Sequence, residues 1–473
     1  MSIRVRFAPS PTGYLHVGGL RTALFNYLYA KQVGGEIILR IEDTDQSRIV
    51  NNAIEHLVAS FNCLKIKFDE GPGIGGDKGP YYQSQRLYIY KDQIKTLLNN
   101  GFAYPCFCAP ERLEKLRKKL SLDKKTLIYD RHCMGLTKKE AENRRKSEEY
   151  VIRMKIPDRK EVIFYDAVRD KVVIKCAELD DQILIKSDGY PTYHFANVID
   201  DHLMNITHVI RGEEWLSSTP KHVLLYEYLG WDLPRFIHLP LLLNPDKSKL
   251  SKRQGDVGVE DYLQKGYLPE TIINFVALLG WHPNNEQEIF SLKNLEKEFS
   301  LKRIQKSGAV FDIEKLNWMN SQYLINLPLE QIAEKAKPFF NKREFDLSDK
   351  AKYLQVIENA RRRVKTIEEI PKESIMFYKE ITLTQNDIKI ISTKNSKLLL
   401  SQISTHLKDK DELNKDGFGQ LLMEISNSLG ITGKNLFFPI RVVLYGNSKG
   451  PDIPLIYSIL GREETLNRLE KYI

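Results

Sequence analysis

Apolar residues near the start of the chain alternate between a strand-like and a helix-like pattern. The runs at 3–7 and 37–41 predict strands, the second of the buried parallel kind, and apolar positions at helical spacing predict a helix over 20–33. A strand–helix–strand unit closes right-handed and binds ligands beyond the carboxyl ends of its strands. The pattern therefore predicts a Rossmann-like, doubly wound parallel-sheet α/β domain.

The pattern changes twice further along the chain. A cysteine-containing stretch rich in Lys, Arg and Glu interrupts the strand signals, which return at 183–186 and 208–211, and long amphipathic helical patterns such as 352–357 follow from about 311. We therefore expect a split α/β domain, an inserted domain, a connecting region and an all-α C-terminal half that divides near 380. The expected segments are 1–100 with 181–240, 101–180, 241–315 and 316–473.

Composition narrows the class of protein. The 71 Lys and Arg against 62 Asp and Glu give a net charge of +9, which permits a polyanionic partner without requiring one. No apolar run approaches the roughly 20 residues of a membrane span, and residues 1–10 do not resemble an export leader. The five cysteines lack the even spacing of a disulfide framework. We expect a cytoplasmic protein with no membrane partner.

A first candidate site lies at the start of the predicted helix. His16, Gly18 and Gly19 follow a Pro-Ser-Pro-Thr-Gly segment at 9–13. Free backbone N–H groups and the helix dipole attract phosphate at such an end, and glycine allows a close approach. A His followed by two glycines is more often an ordinary loop, but this lead-in and the helix after it favour a phosphate site.

A second candidate lies far downstream, where Lys249 and Lys252 stand in the segment 249–253, Lys-Leu-Ser-Lys-Arg. A basic loop of this kind can close over a triphosphate and stabilise charge on a leaving pyrophosphate. Alone it would be a solvated basic turn. Paired with the His16 segment, it predicts ATP-dependent activation of a substrate.

Several longer strings extend these two motifs. They stand at 6–13, 40–45, 186–194 and 211–215. With them the whole chain resembles the bacterial-type glutamyl-tRNA synthetases, a family of class I aminoacyl-tRNA synthetases. The family's His-x-Gly-His reads here as 16–19, His-Val-Gly-Gly, and its Lys-Met-Ser-Lys-Ser reads as 249–253.

The resemblance implies a monomeric, ATP-dependent glutamate–tRNA ligase. Its substrates would be L-glutamate, ATP with Mg²⁺ and tRNA(Glu), with tRNA(Gln) left open, and tRNA would have to bind before activation. Two arginines would bind the carboxylates, a glutamate the ammonium, and further residues would complete the pocket; these are Arg6, Arg211, Glu42, Ala8, Ser10, Tyr193 and Asn197. ATP would contact His16, Gly18, Gly19, Trp215, Lys249 and Lys252, of which His16 and the two lysines would be catalytic.

The cysteines suggest a metal site in the inserted segment. Cys106, Cys108 and Cys133 offer three soft ligands, with Tyr129 or His132 as the fourth. The spacing resembles the zinc site of some family members, although Gly135 replaces the commoner histidine. We expect a structural Zn²⁺, the alternative being buried free thiols. Cys63 and Cys176 are expected in the core.

The helical C-terminal half is expected to bind the tRNA anticodon. Arg361, Arg362 and Arg363 are candidate contacts, the alternative being a solvated face. Three rival functions remain. A paralogue that modifies a tRNA base would lack this half, a glutaminyl synthetase would carry β-barrels here, and a catalytically silent tRNA-binding paralogue would not need His16 and both lysines.

Overall fold

The computed structural model describes residues 2–122, 128–250, 258–409 and 413–473. The chain divides into two compact units. Unit 1 comprises Met1–Gln264 and Pro269–Leu316, and unit 2 comprises Lys265–Leu268 and Asn317–Ile473. Each unit is described by itself.

Unit 1 is an α/β structure. Its strands are β1 Arg4–Phe7, β2 Glu36–Leu39, β3 Ala103–Cys106, β4 Val151–Met154, β5 Glu161–Asp166, β6 Asp170–Lys175, β7 Ile183–Ile185, β8 His208–Gly212, β9 Arg235–Leu239, β10 Leu242–Leu243 and β11 Ala309–Val310. Its helices are α1 Val17–Val33, α2 Ala53–Cys63, α3 Leu87–Asn99, α4 Pro110–Leu122, α5 Lys138–Arg144, α6 Tyr193–Leu203, α7 Thr219–Leu229, α8 Val259–Gln264, α9 Pro269–Ala277 and α10 Leu292–Glu298. Helix α11, Ile313–Asn326, continues into unit 2.

Parallel strands position the functional site. β1 pairs with β2, and β8 pairs with β9, both in parallel. β1 and β8 are joined where Thr207 N donates to Arg4 O at 3.0 Å and the Arg4 N–H donates to the Thr207 hydroxyl at 3.0 Å. The carboxyl ends of these strands therefore meet at one edge, as the sequence pattern predicted for a ligand site.

The inserted segment differs from its prediction. The parallel sheet was expected to resume only at 183, but β5 already pairs in parallel with β9 through Asp166 and Phe236. Conversely, β7, which was expected to belong to the parallel sheet, lies in a separate antiparallel sheet. There it pairs with β4, which in turn pairs with β3. The sequence pattern was misleading because β5 and β6 form a hairpin in which buried and exposed residues alternate, as in an antiparallel sheet. This alternation gives no sign that the last residue of β5 pairs in parallel with β9.

Unit 2 is helical throughout the part that the structure describes. Its remaining helices are α12 Leu329–Asn341, α13 Lys350–Ala360, α14 Glu369–Lys372, α15 Gln385–Ile391, α16 Lys394–Asp409, α17 Lys415–Leu429, α18 Lys434–Tyr445 and α19 Ile453–Glu470. α19 is kinked at Gly461, whose φ of 76° is not helical. Apolar faces from these helices bury one continuous core that includes Phe340, Val356 and Ile456. The predicted α/β domain followed by an all-α half is confirmed.

Two smaller findings concern expectations about single features. Cys63 is exposed at the end of α2, so its predicted core position is wrong, whereas Cys176 is buried as expected. Cys63 is the last residue of α2 and follows Phe61, the last buried residue of that helix. The apolar character of cysteine alone does not show where the buried part of a helix ends. No helix within the described ranges is long and apolar enough to cross a membrane.

Candidate functional site

His16 caps the N-terminus of α1. Its Nδ1 accepts the Gly18 N–H at 2.9 Å, and α1 begins at Val17, three residues before the predicted start. A neutral ring that accepts at Nδ1 carries its hydrogen on Nε2, where it can donate to a phosphate oxygen. The first turn contains Gly18 and Gly19, so the histidine and both glycines lie at the helix end as predicted.

The second motif follows strand β10. Lys249 is exposed and its neighbour Leu250 donates its N–H to Leu242 O at 2.9 Å. Lys252 lies outside the described residues. Beyond that gap, Gly258 forms a β-bridge with His16. The chain therefore returns from the lysine segment directly beside the histidine of the first motif.

A cavity of about 660 Å³ opens at the carboxyl edge of β1 and β8. Among the residues predicted for glutamate and adenine, it is lined by Arg6, Ala8, Ser10, Glu42, Tyr193, Arg211 and Trp215. The predicted Asn197 lies behind this wall, where its Nδ2 donates to the Tyr193 hydroxyl at 2.7 Å. A neighbouring cavity of about 350 Å³ shares Ser10 with the first and is lined by His16 and Gly19.

A buried ion network supports the floor of the larger cavity. Arg6 Nε donates to Asp201 Oδ1 at 3.0 Å, and Arg40 Nη1 donates to the same oxygen at 2.8 Å. Arg40 Nη2 in turn donates to Glu42 Oε1 at 3.1 Å. Arg40 and Asp201 thereby fix the two cavity residues Arg6 and Glu42 relative to each other.

Asp200 extends this network away from the cavity. It accepts from Arg86 Nε at 2.7 Å, Gln83 Nε2 at 2.8 Å and the Tyr90 hydroxyl at 2.8 Å. Two adjacent buried carboxylates in the largely apolar helix α6 were the sequence signal for the network, but the pattern did not indicate their partners. Asp200 and Asp201 were therefore missed as supporting residues.

The electrostatics of Glu42 differ from those of an exposed carboxylate. Burial raises the pKa of Glu42 to about 7, although Arg40 and Arg6 favour its charged form. The same two arginines hold the pKa of Asp201 below its usual value against the effect of burial. Asp201 is thus a permanent anion in the floor, whereas Glu42 can change its charge near neutral pH.

Tyr193 supplies a directed hydroxyl. It accepts N–H bonds from Asn197 and, at 3.3 Å, from Arg211 Nη1, so its own hydrogen is directed elsewhere. Burial raises the pKa of Tyr193, which keeps this hydrogen in place. The Trp215 ring packs on Tyr193 with ring centroids 4.1 Å apart. The buried charged residues of the cavity lining are therefore Arg6, Arg211 and Glu42, while Asp45, Arg48, Lys186 and Glu214 line its more exposed part. Together with the Tyr193 hydroxyl, the buried set suits an amino acid with an extra carboxylate.

Two family models match the chain. The model for tRNA synthetases class I (E and Q), catalytic domain, matches residues 2–318, and the model for an anticodon binding domain matches residues 331–473. A glutamate–tRNA ligase of Clostridioides difficile (strain 630) is 45% identical, over 99% of this chain and 98% of the relative. The chain belongs to the glutamate–tRNA ligase family.

Further relatives agree with this family. A glutamate–tRNA ligase of Alkaliphilus metalliredigens (strain QYMF) is 46% identical over 99% of this chain and 98% of the relative. The crystal structure of a glutamate tRNA ligase from Elizabethkingia meningosepticum CCUG26117 in complex with its amino acid matches with a TM-score of 0.93 and 37% identity, covering 100% of this chain and 99% of that one. The resemblance inferred from the motifs is confirmed.

The cysteine cluster forms a compact donor set in this member of the family. The sulfurs of Cys106, Cys108 and Cys133 lie within 4.8 Å of one another, Cys108 and Cys133 at 3.6 Å. Tetrahedral zinc with Zn–S bonds of about 2.3 Å separates its sulfurs by about 3.8 Å, so the spacing fits the ion. The Tyr129 hydroxyl lies 3.3 Å from Cys106 Sγ and 3.2 Å from Cys108 Sγ, whereas His132 is exposed. Of the two predicted fourth ligands, the geometry favours Tyr129.

The arginine run in unit 2 has mixed surroundings. Arg361 Nη1 donates to Leu327 O at 2.8 Å, and Arg363 Nη1 donates to the Asn359 carbonyl at 2.6 Å. Arg362 and Arg363 are both exposed in the turn that follows α13, and Arg362 pairs with Glu358 of that helix. Arg361 therefore has a local structural role, which the sequence pattern did not indicate, whereas Arg363 combines an exposed side chain with bonds to Asn359.

Proposed function

We propose that this chain is a glutamate–tRNA ligase that activates L-glutamate with ATP and transfers it to tRNA(Glu). The observation that carries the proposal is the single cavity lined by Arg6, Glu42, Tyr193 and Arg211 beside the helix end at His16. Two cationic groups, one anionic group and a hydroxyl donor complement the two carboxylates and the ammonium of glutamate.

Adenylate formation follows from positioning and charge stabilisation. An oxygen of the glutamate α-carboxylate attacks the α-phosphorus of ATP in line, and the bond to pyrophosphate breaks, which leaves glutamyl-adenylate. The His16 Nε2–H and the N–H groups at the start of α1 contact the phosphates, and Lys249 and Lys252 stabilise the leaving pyrophosphate. Mg²⁺ enters with ATP as part of the substrate and screens its charge.

Transfer completes the reaction. A ribose hydroxyl of the terminal adenosine of tRNA attacks the carbonyl carbon of the adenylate, AMP leaves, and the hydroxyl proton is released to the AMP phosphate or to water. No covalent bond to the protein is required. We assign the acceptor end of tRNA to the inserted segment and the anticodon to unit 2.

Aminoacylation with labelled glutamate tests this function. Purified enzyme, ATP, Mg²⁺ and tRNA(Glu) should give charged tRNA, and ATP–pyrophosphate exchange should require tRNA. Absence of charging would contradict the function, and exchange at equal rates without tRNA would contradict the required order. Parallel charging of tRNA(Gln) decides whether the enzyme also accepts that tRNA. Size-exclusion chromatography tests the predicted monomer, and the cytoplasmic location stays a prediction.

A structural zinc ion is the second part of the proposal. Cys106, Cys108, Cys133 and Tyr129 would hold it and so cross-link the loops of the inserted segment. Enzyme purified without chelator should contain about one equivalent of zinc, and less than about a tenth of an equivalent would exclude the site.

A further inference from the structure

Arg211 is surrounded by neutral acceptors. Its Nε donates to His238 Nε2 at 3.2 Å, and its Nη2 lies 2.8 Å from the Thr219 hydroxyl oxygen and 3.1 Å from His222 Nδ1. Its Nη1 donates to the Tyr193 hydroxyl. Among the described residues, no carboxylate lies within ion-pair distance of this guanidinium, although the side chain is 4% exposed.

Asp166 determines the direction of the first of these hydrogen bonds. Its Oδ2 lies 2.6 Å from His238 Nδ1, and both side chains are fully buried. Because a carboxylate only accepts, the hydrogen of the neutral His238 ring lies on Nδ1. Nε2 is then the acceptor that faces Arg211, and a guanidinium can only donate to it.

His194 plays the corresponding part for His222. Since Arg211 can only donate to His222 Nδ1, the neutral His222 ring carries its hydrogen on Nε2, which lies 3.0 Å from His194 Nδ1. Burial lowers the pKa of His222 well below its ordinary value, lowers that of His194 to about 4, and lowers that of His238 despite Asp166. All three rings are therefore neutral near pH 7.

This arrangement has a consequence for the charge of the cavity. Arg6 and Arg40 form direct ion pairs with carboxylates, whereas Arg211 is held by neutral groups, and the carboxylate of its network, Asp166, lies beyond the His238 ring. A buried cation without a direct ion pair is costly, and a ligand carboxylate that forms one lowers that cost on binding. Nε and Nη2 are already engaged, and Nη1 gives one N–H to Tyr193, so the second N–H of Nη1 is the donor left for a ligand.

We propose that His238 with Asp166, and His222 with His194, are positioning residues that hold Arg211 without a direct ion pair, as a cation for a substrate carboxylate. This inference rests on the proposed function, because it takes glutamate as the ligand. Glutamate affinity would then depend on two hydrogen-bonded pairs that do not line the cavity, as well as on the residues that do.

Paired substitutions at the two histidines test the assignment of acceptor atoms. The amide oxygen of Gln can stand where Nε2 of His stands, and that of Asn where Nδ1 stands. His238→Gln should therefore keep the acceptor for Arg211 and His238→Asn should lose it. At His222 the order is inverted, so that His222→Asn should keep the acceptor and His222→Gln should lose it.

The readout is the KM for glutamate in tRNA charging. Loss of a hydrogen bond to a buried charged group should raise this KM about 10- to 100-fold in His238→Asn and His222→Gln. The kcat should change much less, since Arg211 would bind the carboxylate equally in the ground and transition states. The KM for ATP should stay unchanged. His208→Asn is the matched control, because His208 is a buried histidine on β8, the strand that carries Arg211, but bonds Tyr29 and Thr207 instead.

Other outcomes would overturn the inference. Equal KM values for Gln and Asn at both positions, or an equal effect of His208→Asn, would leave only a packing role for these histidines. If the two variants at one histidine fail to fold, the two at the other histidine still show whether their KM values for glutamate rank as predicted or in the opposite order. A wild-type enzyme that does not charge tRNA with glutamate would contradict the proposed function itself, whereas an active enzyme with unaltered variants would contradict only the positioning role.

Discussion

Glutamate binding should depend on pH through Glu42. The pKa of this carboxyl is raised to about 7, mainly by burial. Only its charged form is an anion for the substrate ammonium, so protonation below pH 7 weakens binding and ionisation above it restores binding. Burial lowers the pKa values of His194, His222 and His238, so these neighbours should not titrate at neutral pH.

The size of the effect follows from the ionised fraction of Glu42. Between about pH 8 and about pH 6 this fraction falls from about nine-tenths to about one-tenth, so the KM for glutamate should rise about tenfold, equivalent to about 1.4 kcal/mol. The KM for ATP, measured in the same reactions, should not follow this titration.

Aminoacylation at saturating ATP and tRNA measures both constants across this range. Glu42→Gln should have a higher KM for glutamate at every pH and no slope, because the amide does not titrate. A flat profile in the wild-type enzyme, or a slope that persists in Glu42→Gln, would refute the assignment of Glu42 to the ammonium.

Three further predictions concern stability, zinc and tRNA. Asp201→Asn should lower the free energy of unfolding by about 3–5 kcal/mol in urea denaturation, because two buried guanidinium groups lose the negative charge that they share; an unchanged free energy would contradict the role of the network. Tyr129→Phe should weaken zinc binding in a chelator competition while His132→Ala should not, and the reverse order would favour His132 as the fourth ligand. Arg363→Ala should weaken aminoacylation more than ATP binding, with Arg362→Ala as the comparison in the same exposed turn; unchanged tRNA kinetics for Arg363→Ala would exclude a contact of Arg363 with tRNA.

The parts of the site that depend on local sequence were predictable. The glycines and the histidine at 16–19 determine a helix end, and the cavity residues Arg6, Glu42, Tyr193 and Arg211 stand within strings that identify the family. Such strings are informative because they contain residues that set the backbone conformation, such as glycine and proline, together with residues whose side chains line the cavity. The amphipathic pattern of the C-terminal helices was equally direct, because an apolar face at helical spacing must be buried.

The supporting residues were not predictable from local patterns. Asp166 lies in the hairpin that was expected to belong only to the insertion, and its partner His238 is 72 residues away. Arg40 stood within a recognised string, yet its bond to Asp201 spans 161 residues. Pairing over such distances depends on which strands become neighbours, and a single sequence does not contain that information.

Charge balance explains why the two cavity arginines have different surroundings. Beneath the cavity, Arg6, Arg40 and Arg86 are matched by the carboxylates Glu42, Asp200 and Asp201, so this part of the site is neutral when Glu42 is ionised. A glutamate substrate adds two negative charges and one positive charge. Its net negative charge favours a cation that is not already in a direct ion pair, and among the buried cations that line the cavity Arg211 is the one whose direct partners are neutral. Its histidine partners therefore contribute to selection of a dicarboxylic amino acid, since a carboxylate partner in their place would remove the charge that such a substrate needs.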